Sequence, residues 1–378
     1  MIVRNQLKYA QDRLFKGKAL LVFGPRQSGK STFITQLLAQ NKNKKALILN
    51  GDDEDTIDLL SKPNGTKLKS IIGKHKILYI DEAQRIKDIG IVIKIIVDQI
   101  KTVQVIATGS SAFELANKTN EPLTGRKYEM FLLPFSFGEL VNEFGFLEEK
   151  RNLEQRLIYG SYPEIVTKPL DAEEHIKLLA NSYLYKDLFR LEQLSKPILL
   201  EKIVKALALQ IGSEVNFNEL SQLVQADNKT IEKYIELLEK AFVVFRLPAL
   251  SKNVRNEIKK GKKIYFYDNG IINAVTGNFS PLHRRSDVGR LWENYVISER
   301  QKYLAQNQLS PKSYFWRTVQ QQEIDYIEEV GKKYVAVEIK WNAKAKSRFS
   351  TTFLNAYPSS QMVVTPNNIE DFVMATKI

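Results

Sequence analysis

The chain has 378 residues, of which 43% are hydrophobic and 26% charged, and it contains no cysteine. That length gives two or three domains, each able to bury its own core, and the balance excludes a disordered chain. Without cysteine there is no disulfide, no thiolate nucleophile and no Cys-based zinc site. His75, His175 and His283 stand about a hundred residues apart, so a metal here would be oxygen-bound, as Mg²⁺ or Mn²⁺ is. The net charge is +13, and Ser251 to Ser350 alone carries nine of it, with 19 Lys and Arg against 10 Asp and Glu. A basic segment of this kind points to a polyanionic partner such as a nucleic acid, the alternative being a soluble surface that is merely lysine-rich.

Met1 to Gly17 is polar and carries both charge signs, unlike a signal peptide. From there to about residue 140, short β-branched runs alternate with helical patterns, which predicts an α/β fold with a parallel sheet. Ala19–Phe23, Lys45–Asn50, Ile77–Ile80 and Val103–Ala107 are near-continuous apolar runs, as strands buried on both faces should be. Ser31–Gln40 and Ile91–Ile100 read as helices, and a strand-like run, Tyr128–Leu133, precedes Pro134. The most apolar stretch, Ile89 to Ile100, is broken by Lys94 and Asp98 and is too short to span a bilayer. A cytoplasmic protein with no membrane association is the expectation.

Gly24-Pro25-Arg26-Gln27-Ser28-Gly29-Lys30-Ser31, followed by Thr32, matches G-x-x-x-x-G-K-[ST] between a predicted strand and a predicted helix. In such a loop backbone N–H groups surround the phosphates of ATP, Lys30 reaches the β- and γ-phosphates, and the Ser31 hydroxyl ligates Mg²⁺. The helix N-terminus adds a favourable field for anions. About fifty residues on, the run Ile77–Ile80 ends in Asp81 and Glu82. Asp81 would sit by the Mg²⁺ shell and Glu82 would polarise the attacking water. The next strand ends in Thr108-Gly109-Ser110-Ser111, where Ser110 or Thr108 could reach the γ-phosphate or the water. Arg126, in Leu123-Thr124-Gly125-Arg126, is a candidate arginine finger toward a neighbouring copy in a homo-oligomer, or else a solvated surface residue.

The succession GPRQSGKST, LYIDEAQ, ATGSS, LTGR with FLLPFSFGEL, YGSYPE, YDNGI, GRLWENYV and the EIDYI and VEIKW pair covers nearly the whole chain. In this order it resembles bacterial and archaeal AAA-type ATPases fused to a C-terminal domain related to PD-(D/E)XK nucleases. The resemblance implies a P-loop ATPase core over 1–140, a helical linker or lid over 141–200, a winged-helix segment over 201–255 and an α/β nuclease-like domain over 256–378.

Glu201–Ile211, Phe217–Val224 and Asn228–Lys240 read as helices, with a short polar turn at Gln225–Asp227 and a strand over Phe242–Leu247. This fits a winged helix-turn-helix, with Lys229, Thr230, Lys233 and Tyr234 candidates to face a groove. Glu232, Glu236 and Glu239 on the same helix oppose phosphate approach, so domain packing is an alternative role. A strand over Lys263–Tyr267 and a helix over Gly289–Leu304 follow, and a hairpin turns at Gly331-Lys332. Its register sets Val330 opposite Lys333 and Asp325 opposite Glu338, two like charges with Cβ atoms ~5 Å apart that a divalent cation would reconcile. Alternation puts Ala336, Glu338 and Lys340 on one face and Val335, Val337, Ile339 and Trp341 on the other, buried one. Lys340 then stands beside both carboxylates, as in the D…E-x-K set of PD-(D/E)XK nucleases, and Glu293 resembles the additional acid of such sites. Lys340 as a simple counter-ion is the competing reading. The sequence thus points to a Mg²⁺-dependent ATPase associated with DNA, with Mg²⁺ or Mn²⁺ at a nuclease-like site. The alternatives are a nucleotide-switched DNA-binding regulator that cuts no strand, and an ATP-dependent scaffold whose basic end binds protein or RNA.

Overall fold

The computed structural model describes residues 1–110, 123–182, 197–251, 261–331, 333–344 and 348–375. The chain divides into two compact units, one formed mainly by residues 1–134 and the other mainly by residues 135–378. No helix among the described residues is long and apolar enough to cross a membrane.

The first unit is built on a five-stranded parallel sheet, β1 (Ala19–Phe23), β2 (Ala46–Asn50), β3 (Ile77–Asp81), β4 (Gln104–Gly109) and β5 (Lys127–Phe131), in the order β2-β3-β4-β1-β5. β1 and β4 are buried along their whole length, which is why their sequences are apolar on both faces. Leu20 and Val22 of β1 pack against Ile34 and Leu37 of the Lys30–Ala39 helix and Leu7 of the Leu7–Arg13 helix. Each such side chain contributes ~1.5–3 kcal/mol by leaving water. In register, Phe23 lies beside Gly109, Ile80 beside Ala107 and Asn50 beside Asp81. The segments that follow β1, β3 and β4 therefore leave the sheet at one edge, the carboxyl edge where open α/β sheets place their ligands.

In the second unit, the helix Pro197–Leu209 is followed by β6 (Glu214–Val215), the helices Phe217–Val224 and Asn228–Lys240, and then β7 (Val244–Pro248) and β8 (Lys262–Phe266). The three strands form an antiparallel sheet in the order β6-β8-β7. The strand expected over Lys263–Tyr267 is thus paired with β7 and β6, and a division at 255/256 runs between paired strands. Tyr234 is buried, which removes it from the groove-facing set, and Thr230 is engaged in capping its own helix on Asp227.

β9 (Lys312–Arg317), β10 (Glu323–Val330), β11 (Lys333–Ile339) and β12 (Ser359–Val364) make a mixed sheet in the order β12-β11-β10-β9. The hairpin has the register expected, Tyr326 opposite Val337 and Val330 opposite Lys333, with Gly331 at φ +66°. Lys332, the other expected turn residue, lies outside the described residues. One face was expected to be open, and both are covered. Ala336 joins Ile324, Ile327, Trp316 and Phe353 in an apolar cluster, while Val337 is buried on the other side. β9, which supplies Trp316 to this cluster, and the helix Thr351–Ala356 went unread in the sequence.

The long helix Val288–Gln306 is tied to β10 by a buried bidentate pair. Arg300 Nε and Nη2 donate to Glu328 Oε1 and Oε2 at 2.7 and 2.9 Å, and Nη1 reaches the carbonyls of Phe372 and Ala375. Arg300→Met should destabilise the chain by ~3–5 kcal/mol in urea unfolding, because Glu328 keeps its buried charge but loses its cation and retains only a hydroxyl donor, Tyr326. Adding Glu328→Leu should recover part of that loss, the remainder reflecting the two carbonyls left without their donor.

Candidate nucleotide site and a lysine-filled acidic cluster

Between β1 and the Lys30–Ala39 helix the chain turns tightly at the sheet edge. A Cβ on Gly24 would stand 2.1 Å from the Leu132 carbonyl oxygen, so only glycine fits there. Gln27 and Gly29 take positive φ values of +59° and +87°, the second at the N-cap of the helix. Arg26, Gln27, Ser31 and Thr32 are exposed, whereas Pro25, Ser28 and Lys30 are buried. Lys30 Nζ donates to the carbonyls of Gly24 and Pro25 at 3.0 and 2.9 Å. Burial pushes its pKa down to about 8, although Glu82 and Asp81 nearby favour the charge. Ser28 Oγ is buried and makes no hydrogen bond. An ammonium and an unsatisfied hydroxyl at the mouth of a helix suit a phosphate group.

Opposite the loop, Ser31 Oγ donates to Asp81 Oδ2 at 3.0 Å. These two oxygens are hard donors of the kind that would hold Mg²⁺. Thr108 donates to Asp81 Oδ1, and Tyr79 Oη lies 3.5 Å from the same hydroxyl, so Asp81 is oriented from β4. Glu82 stands at φ +45°, unusual for a residue with a Cβ. Its Oε2 accepts from Gln84 Nε2 and, at 3.2 Å, from Ser110 Oγ. The structure thus divides the two residues offered at the end of β4: Thr108 serves Asp81 and Ser110 serves Glu82. Gln84 was not singled out in the sequence, where its only signal is its place two residues beyond Glu82. Ser111 lies outside the described residues.

Arg126 is not brought to this edge. It precedes β5, its carbonyl accepts from Ala19 N at the opposite end of β1, and its guanidinium pairs with Asp98 at 2.7 Å.

In the second unit Asp325, Glu338 and Lys340 do come together. Lys340 Nζ lies 2.8 Å from Glu338 Oε2 and 3.2 Å from Asp325 Oδ2. Burial works against its charge, but the two carboxylates hold the Lys340 pKa above the ordinary lysine value. Asp325 Oδ2 also accepts from Ile339 N at 2.8 Å. Glu293 is near enough to feel the charge of Asp325, yet its direct partners are Lys263 at 3.1 Å and the Tyr265 hydroxyl at 2.6 Å. Lys263 also pairs with Glu323. Where the register asked for a divalent cation, the structure supplies ammonium groups. Among the described residues no group of three or more His, Asp or Glu side chains is arranged to hold a metal ion. Lys263 and Glu323 were missed in the sequence, the available signal being a lysine two residues before Tyr265 in an otherwise apolar strand.

Residues 16–141 match a family model described as an AAA domain. Residues 150–282 and 288–375 match two domains of unknown function, DUF8612 and DUF4143. An uncharacterized protein of Mycobacterium tuberculosis is 28% identical over 335 residues, covering 86% of this chain and 71% of its own. An uncharacterized protein of Methanocaldococcus jannaschii is 24% identical over 309 residues, covering 76% of this chain and 67% of its own. Among solved structures, the Pif1 helicase from Candida albicans aligns over 48% of each chain at 14% identity and a TM-score of 0.28. The Aeropyrum pernix ORC1 protein in complex with DNA aligns over 72% of this chain and 91% of its own, at 12% identity and a TM-score of 0.29. Overlaps as loose as these two say nothing of what this chain does. The parallel sheet, the glycine-rich loop at its carboxyl edge and the AAA match over the same residues fit a P-loop domain of the AAA type in the N-terminal unit.

Proposed function

We propose that the chain is a Mg²⁺-dependent ATP hydrolase that engages DNA. The observation that carries this reading is the contact between Ser31 Oγ and Asp81 Oδ2, with Lys30 on the loop side and Glu82 beside Asp81. Ser31 and Asp81 would hold Mg²⁺, which when bound offsets charge shared by the β- and γ-phosphates. Lys30 supplies a fixed cation to the same phosphates. Glu82 accepts the proton of the attacking water, and Ser110 and Gln84 hold its carboxylate in place for that transfer.

For DNA the support is charge. Among the described residues of Ser251 to Ser350, six basic and seven acidic side chains pair with one another. Pairing therefore engages most of the acids there, while Arg284, Arg290, Lys312, Lys333, Lys344 and Arg348 are exposed. The order helix, short strand, two helices across a Gln225–Asp227 turn and two further strands supports reading 197–266 as a winged helix-turn-helix. Glu239 on its last helix is engaged by Arg246, which lessens the acidity that face would offer a phosphate.

Lys30→Ala should abolish ATP binding, while Glu82→Gln should bind ATP normally and hydrolyse it about 10²–10⁴-fold more slowly. Equal turnover in wild type and Glu82→Gln would remove Glu82 from its role. The pH dependence follows from Lys30. Below about 8 the free site already carries the ammonium, and above it the amine must take up a proton as ATP binds. ATP affinity should be level up to that pH and then fall by up to about tenfold per unit. Calorimetry in buffers of different ionisation heat would register the proton uptake. For DNA, six neutralised phosphates would cost about a thousandfold in affinity between ~50 and ~200 mM salt. Binding that stays level over that range would strike DNA from the reading.

A further inference from the structure

The acidic cluster of the second unit invites a metal by its register and refuses one by its contacts. Four carboxylates, Glu293, Glu323, Asp325 and Glu338, converge from one helix and two strands. Two lysines are set among them, Lys263 from β8 and Lys340 from the end of β11. Lys263 is only 1% exposed, and its ammonium meets Glu293 and Glu323 from within the fold. We propose that Lys263 occupies the place a divalent cation would take in this cluster, so that the C-terminal unit is closed to metal and cleaves no phosphodiester.

The argument is one of lone pairs and room. A carboxylate oxygen offers two lone pairs. Glu293 Oε1 already accepts from Lys263 and from the Tyr265 hydroxyl, and Asp325 Oδ2 from Ile339 N and Lys340. These two oxygens are therefore spent on N–H and O–H donors. Mg²⁺ needs near-octahedral oxygens at about 2.0–2.1 Å, so it would have to displace the lysine first. Lys263 cannot swing out to water as a surface lysine does. Its strand is hydrogen-bonded on both sides, to β6 and to β7, and its ammonium lies 5.5 Å from the centre of the Phe315 ring. Expelling it would leave either a buried cation beside a dication or a buried lysine without partners, and both are costly. The lysine thus does for folding what the ion would have done, and brings no Lewis acid with it.

The test uses the full chain without nucleotide, with Mn²⁺ alone as the probe. Wild type should show no bound Mn²⁺ that depends on Asp325 by electron paramagnetic resonance, and its melting temperature should move by less than about 1 °C in the metal. Asp81→Asn, run alongside, accounts for any ion held at the P-loop. Lys263→Met keeps the stem and removes the charge. It should melt lower than wild type, and Mn²⁺ should restore about 2–4 °C or more by filling the vacated place. Lys263→Arg keeps the charge and should stay indifferent to Mn²⁺. Supercoiled DNA incubated with wild type and Mn²⁺ should remain uncut. Mn²⁺ binding or nicking by wild type that is lost in Asp325→Asn would overturn the proposal, whether or not any Lys263 variant folds. A folded Lys263→Met that ignores Mn²⁺ would overturn the claim that the lysine stands in for the ion. ATP hydrolysis, measured on the same samples, reports on the P-loop reading separately.

Discussion

A carboxylate withdrawn from water must find a positive charge or a set of donors, and each unit of this chain meets that constraint differently. At the edge of the parallel sheet, Asp81 and Glu82 are half-buried and held mainly by neutral donors, Ser31, Thr108, Ser110 and Gln84. Neutral donors orient a carboxylate without cancelling its charge, which leaves an accessible negative edge facing a loop that carries Lys30. In the second unit the acids sit deeper and are met by full ammonium and guanidinium groups: Lys263, Lys340 and Arg300. The first arrangement leaves its negative charge uncancelled. The second uses it up in folding.

How far the amino-acid sequence discloses this depends on how local each signal is. β1 was legible to the residue because five consecutive apolar side chains buried on both faces leave no other reading. The P-loop was legible because its glycines answer to close approach and positive φ at fixed spacing. The hairpin register followed from one glycine and simple counting, and Tyr326 does stand opposite Val337. What could not be counted was which strands lie beside the hairpin. β9 and β12 mix polar and apolar residues without clean alternation, both lying at the edges of their sheet. Lys263 went unrecognised for a related reason. Its partners lie 30 and 60 residues away on other elements, and a lysine in a basic segment reads as surface charge until the strand bearing it is placed.

The same non-locality separates Thr108 from Ser110. Two residues apart at the end of one strand, they are interchangeable in a sequence that offers a polar side chain near a phosphate. In the fold, Thr108 is fully buried beside β3 and reaches back to Asp81, while Ser110 has passed the sheet edge and meets Glu82. Each carboxylate thus takes one of its donors from the end of the neighbouring strand. That is what a parallel sheet allows: adjacent strands end side by side and in the same direction.

Glu82 is also held by backbone conformation. Its φ of +45° places a Cβ-bearing residue in the left-handed region, at a cost on the order of 1–3 kcal/mol. The adjoining strand accommodates this. Gly51 N donates to the Asp81 carbonyl at 2.8 Å, and any Cβ at Gly51 would come within 2.4 Å of the Glu82 carbonyl oxygen. A glycine at the end of β2 therefore lets the chain after β3 turn sharply enough to carry the Glu82 side chain toward Gln84 and Ser110. Relaxing Glu82 to an ordinary φ would redirect its side chain away from both donors. The strain thus sits on the residue proposed as the proton acceptor, and the lack of a side chain at Gly51 leaves the room that its backbone takes.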